Sequence, residues 1–113
     1  MAIHLLREPA TSEQLAQMLA DLDAFIKVVV DIQQGVMTGG GEMHADGEQL
    51  LLEQGSQQED LWGANYYPET REIRFEALIN IRPRQGNRAM TLQDRDLRSR
   101  TEAVIRRLLE PGP

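Results

Sequence analysis

Between Ala24 and Ile32 apolar residues return at every second position, the spacing of an extended strand. Ala24, Ile26, Val28, Val30 and Ile32 fall on one face, and Phe25, Lys27, Val29 and Asp31 on the other. The stretch Ile73 to Arg82 repeats this more cleanly, with Ile73, Phe75, Ala77, Ile79 and Ile81 opposite Arg74, Glu76, Leu78, Asn80 and Arg82. Two further strands are predicted, Ile3 to Arg7, stopped by Pro9, and Leu61 to Tyr67, joined to the 73–82 strand through Pro68-Glu-Thr-Arg71. The period changes at two places. Leu15, Met18, Leu19 and Leu22 follow a Thr11/Gln14 pair with the form of a capping box, which predicts a helix over 12–22. Leu97, Thr101, Val104, Ile105 and Leu108 predict a second helix from Asp94 to Leu109, ended by Pro111.

The middle of the chain is more broken. Gln33-Gln34-Gly35 reads as a tight reversal into a short strand, Val36 to Thr38, which Gly39-Gly40-Gly41 interrupts. Residues 42–46 alternate again, placing Glu42, His44 and Asp46 on one strand face. Asp46 then suits the N-cap of a brief helix, Gly47 to Gln54, closed by Gly55. These pieces predict one α+β domain over residues 1–113: two layers, a mainly antiparallel sheet, and helices near both ends covering one of its faces. The core forms where the aliphatic faces of the 24–32 and 73–82 strands meet the two helical stripes. The opposite face, with Lys27, Arg74 and Glu76, is expected to be wet.

At 113 residues such a chain can bury one core without cross-links, and it has no cysteine for a disulfide or a thiolate site. Its longest apolar runs are three residues, and its start lacks the pattern of a signal peptide, so a cytoplasmic protein without a membrane span is expected.

Charge changes the picture most. Residues 1–81 carry four basic and fourteen acidic side chains, a balance of −10, whereas residues 82–113 carry eight arginines and four acids, a balance of +4. An acidic body makes nucleic acid an unlikely partner. The boundary coincides with Arg82-Pro-Arg-Gln-Gly-Asn-Arg88, directly after the predicted strand. Guanidinium groups hold carboxylates and phosphates through paired hydrogen bonds, and amide side chains can orient such a ligand. Arg82, Arg84, Gln85, Asn87 and Arg88 are therefore candidate ligand-binding residues, with Asn80, Asp31 and Trp62 as walls; a small anionic ligand or an acidic protein segment would be the partner.

Two other readings stand beside this one. Glu42, His44 and Asp46, with Asp31, could present oxygen and imidazole ligands to a divalent metal in an enzyme. The sheet edge or open face could instead pair two copies into a homodimer. No hydrolytic triad, phosphate loop or dinucleotide fingerprint is visible.

Four stretches, IHLLREP at 3–9, VVDIQQGVMTGGGEMHAD at 29–46, LLLEQGSQQEDLWGANYYP at 50–68 and INIRPRQGNR at 79–88, are distinctive together. In them the chain resembles a family of small uncharacterised bacterial proteins, a domain of unknown function frequent in cyanobacteria. The resemblance implies a small α+β protein and carries no catalytic residue with it.

Overall fold

The computed structural model describes residues 3–110. Among these, five strands form one antiparallel sheet: β1 (His4–Leu6), β2 (Ile26–Asp31), β3 (Val36–Gly39), β4 (Leu61–Tyr67) and β5 (Glu72–Arg74), in the order β1-β3-β2-β4-β5. Helices α1 (Ser12–Leu19) and α3 (Arg95–Leu109) lie against one face, and α2 (His44–Glu53) against the other. The α+β class and the antiparallel sheet are as the sequence predicts. The end of α3 at Pro111 lies outside the described residues.

The local signals explain the elements. In α1 the Gln14 amide N–H donates to Thr11 Oγ1 (3.1 Å) and the Thr11 N–H to Gln14 Oε1 (2.9 Å), so the capping box forms in full. The helix α3 begins behind Asp94, whose carboxylate accepts from the Leu97 N–H at 3.0 Å. Ile26, Val28 and Val30 of β2 meet Met18 of α1 and Val104, Ile105 and Leu108 of α3 in the main core, which also takes in Trp62, Ala64 and Tyr66 of β4.

Three expectations are corrected. First, the sheet face opposite this core is not wet along its length. Val29 is buried there with Val36, Leu51 and Leu61, beneath α2. Gly47 of α2 sits so close to Thr38 and Val29 that a side chain would collide with them, which is how the helix reaches the sheet.

Second, residues 42–46 are not a strand. Helix α2 starts at His44 with Met43 in the N-cap position, so Asp46 is in the first turn and caps nothing. At the far end the Gly55 prediction holds: the Gly55 and Ser56 N–H groups donate to the Leu52 and Leu51 carbonyls (3.1 and 3.0 Å), with Gly55 at a φ of 99°.

Third, the predicted strand 73–82 ends early. β5 stops at Arg74; Phe75 and Ala77 then bond to Leu92 and Met90, and a 3-10 turn follows at Leu78–Asn80. The turn redirects the alternation. Ile73 and Phe75 belong to the α1/α3 core, whereas Ile79 packs into the α2 cluster and Ile81 faces solvent.

Candidate functional site

The physical cause of that early ending is Asn80. Its buried side chain accepts from the Gly63 N–H (2.8 Å) and donates to the Gly63 carbonyl (2.9 Å) and to that of Met90 (3.2 Å). One amide thus takes the place beside β4 that the main chain of a longer β5 would hold. Asn87 does the same for the following loop: its Nδ2 donates to the carbonyls of Asn80, Ala89 and Thr91, and its Oδ1 accepts from the Gln93 N–H. The Arg82 N–H donates to the Asn87 carbonyl at 2.7 Å, closing a tight loop around a 3-10 turn at Pro83–Gln85.

Arg82 is built into the same frame. Its guanidinium donates to the main-chain carbonyls of Ile79 (2.9 Å), Gln58 and Leu61, and lies 4.3 Å from the centre of the Trp62 ring. Burial lowers its pKa, while Glu48, 4.0 Å away, opposes that shift. Trp62 itself is a core residue.

Asp31 is fully buried and accepts from the Gln33 and Gln34 N–H groups (both 2.9 Å) and from the Ser56 hydroxyl (2.7 Å). It anchors the β2–β3 turn to Ser56, in the loop that follows α2.

The residues assigned to an anion site are therefore not gathered around one ligand. Asn80, Asn87, Arg82 and Asp31 have their polar groups engaged inside the protein, and Trp62 is covered. Arg84 and Arg88 are exposed, and Gln85 donates to the Glu59 carbonyl at 2.9 Å. The depression of about 390 Å³ at this corner is lined by Gln58, Arg82, Pro83, Arg84 and Gln85, so three of the candidates share it, without Arg88, Asn80 or Asn87.

Glu42, His44 and Asp46 lose the strand face that was to align them. Among the described residues no group of three or more His, Cys, Asp or Glu side chains is placed to hold a metal ion. The His44 Nε2 lies 2.9 Å from the Ala64 carbonyl, an acceptor, so that nitrogen carries the proton and donates.

A different place gathers side chains. Between the start of α2 and residues 76–79 lies a cleft of about 410 Å³. Met43 and Ala45 line it from the α2 side and Ala77, Leu78 and Ile79 from the other, together with Phe25 and Met90. Lys27, His44 and Asn65 lie among them, and Glu76 stands on the wall. Large apolar residues should be inside, yet Leu78 is 67% exposed, Met43 57% and Met90 45%. They are three of the four large apolar residues exposed among the described residues, and all three line this cleft.

Gly63 makes the cleft possible. A Cβ there would come within 2.6 Å of the Ala77 Cβ and 3.2 Å of both His44 Cδ2 and Ile79 Cδ1, so a glycine lets both walls close on β4.

The polar groups of the cleft are partly engaged. Lys27 Nζ donates to the Glu42 carbonyl at 2.7 Å, leaving two of its three N–H bonds. Burial lowers the His44 pKa below 6.5, and the Lys27 charge lowers it further; the Ala64 carbonyl and the nearby Asn65 side chain favour the protonated ring against this. Asn65 Oδ1 is nevertheless buried with no donor at hydrogen-bond geometry. The net result is a neutral imidazole at neutral pH, in a mainly apolar cleft whose lining also carries the Lys27 ammonium and the Glu76 carboxylate. Sequence reading placed Lys27 and Leu78 on the second face of their strands but took that face as a surface. The signal was Leu78, an apolar residue among Arg74, Glu76, Asn80 and Arg82.

The model of a family described as protein of unknown function (DUF5674) matches residues 4–108. The chain belongs to that family. No curated protein and no solved structure matches it. No helix among the described residues is long and apolar enough to cross a membrane.

Proposed function

We propose that this protein is a binding module and that its ligand site is the cleft between α2 and residues 76–79. The ligand is a small molecule with an apolar body and a single acceptor group, a carboxylate or carbonyl, directed to Lys27. One observation carries this reading: Met43, Leu78 and Met90 remain exposed around a cavity that also contains Lys27, His44 and Asn65. Apolar clefts with a few convergent polar groups are the usual form of small-molecule sites, and a volume of about 410 Å³ is in their range. Glu76 on the wall disfavours a second negative charge. A neutral His44 adds apolar surface and shape without charge.

The test is titration with anilinonaphthalene sulfonate, a fluorescent aromatic anion with this division of apolar body and acceptor. Saturable enhancement by the native protein is expected, lost in Leu78→Ser/Met90→Ser and weakened in Lys27→Met. Enhancement that ignores all three substitutions, or none with the native protein, would remove the reading. The exposed apolar rim favours one alternative occupant, a second copy of the chain. Light scattering that reports a dimer, turned to monomer by the same double substitution, would replace ligand binding with self-association.

A further inference from the structure

We propose a second site, independent of the cleft, in which Arg95 and Arg98 at the start of α3 hold a small oxyanion, a phosphate or a carboxylate. A hollow of about 380 Å³ is lined there by Phe75, Gln93, Arg95, Arg98, Ser99 and Glu102. Phe75 belongs to the α1/α3 core, whereas its successors Glu76 and Ala77 line the first cleft, so the two hollows lie on opposite sides of one segment.

The other arginines of the basic C-terminal third differ from this pair. Arg82 is bound to main-chain carbonyls, Arg106 to Glu102 and Glu110 (2.8 and 2.7 Å), and Arg107 to the Gly35 carbonyl. Arg84, Arg88 and Arg100 are exposed, as Arg95 and Arg98 are, but none of the three lines this hollow. Among the described residues no carboxylate lies within 4.0 Å of the Arg95 or Arg98 guanidinium. Separated by three positions on a helix, these two side chains share a face.

Arg98 also has an aromatic neighbour. Its guanidinium carbon lies 4.9 Å from the centre of the Phe75 ring, a contact that favours this position of the side chain. The one carboxylate in the lining, Glu102, has an oxygen taken by Arg106 Nε at 2.8 Å, which offsets its repulsion of an anion. Asp94 is engaged in capping the helix, and Asp96 is not part of the lining. The Ser99 hydroxyl and the Gln93 amide supply neutral donors. The acidic body, with its balance of −10 over residues 1–81, limits the ligand to a small anion, since a polyanion would meet that repulsion along its length.

The experiment is a proton–nitrogen NMR titration at constant ionic strength with inorganic phosphate, and separately with acetate. Saturating shifts are expected at the Gln93, Ser99 and Glu102 amides. Preference for phosphate assigns a phosphoryl ligand, and preference for acetate a carboxylate. Arg98→Gln should weaken binding at least about tenfold, as loss of a charge-assisted bidentate partner does. Arg84→Gln removes the same charge elsewhere and should change it less than about twofold, in line with exposed charges generally. If Arg98→Gln disturbs packing on Phe75, Arg95→Gln repeats the measurement without touching that contact. Equal losses in the Arg84 and Arg95 or Arg98 variants, or shifts that grow without saturating, would reduce the site to net charge and overturn it. The outcome is separable from that of the first cleft, which shares no residue with this hollow.

Discussion

Residues 80–87 and the cleft rim at Met43, Leu78 and Met90 are near neighbours with opposite habits. In the first, Asn80 and Asn87 are buried and Arg82 is nearly so; in the second, large apolar side chains stand in solvent. Patterning along the chain points to the polar segment as the site and passes over the apolar rim. The difference teaches that a polar side chain is free for a ligand only if the main chain has no claim on it. Here the claim is extensive. The segment after β5 leaves the ladder, its carbonyls and those of β4 need donors, and Asn80, Asn87 and Arg82 provide them. Because those amides do the work of a strand, the chain turns at Leu78–Asn80, and the turn that buries Asn80 puts Leu78 outside.

The contrast can be broken most directly at Asn80. Asn80→Leu keeps the volume but leaves the Gly63 N–H and carbonyl buried without partners, and should cost about 3 kcal/mol or more at one to three for each unsatisfied group. Urea unfolding would measure this, and a loss below about 1 kcal/mol, the scale of an ordinary hydrogen bond, would mean that Asn80 is not the frame. Arg82→Met comes next, with an expected loss of about 2–3 kcal/mol, because several carbonyls lose a charged donor and Glu48 loses its partner. By contrast, Arg84→Gln and Leu78→Ser, on the exposed side of the comparison, should stay within about 0.5 kcal/mol of the native protein in the same assay. Leu78→Ser is then informative only through the binding assay.

Acid sharpens the comparison from the cleft side. The folded His44 has its pKa lowered, chiefly by burial, below the 6.5 expected in the unfolded chain. Between those values the unfolded state binds more protons, so stability is complete above 6.5 and declines as pH falls through the folded pKa. The slope from this one group is at most about 1.4 kcal/mol per pH unit. His44→Gln should remove its share of the slope in unfolding midpoints taken between pH 7.5 and 5; an unchanged slope would place the acid sensitivity in other groups.

What the sequence determined by itself was whatever is settled within one element. The capping box at Thr11, the buried stripe of α3, the Gly35 reversal and the Gly55 helix end are all short-range, and each formed as its residues dictate. The alternation of β2 was equally legible, since one face of a strand must choose the core. Tertiary structure decided where that rule stops. Periodicity cannot distinguish a full-length β5 from one cut short with its neighbour bonded by an amide, because Ile73-Phe75-Ala77-Ile79-Ile81 has the same pattern in both. Nor can it show that α2 covers Val29, or that Gly63 admits both walls of the cleft, since those depend on approach distances between residues far apart in the chain. Side-chain patterning encodes which face is buried; which polar groups are left over for a ligand follows only after every main-chain donor and acceptor has found its partner.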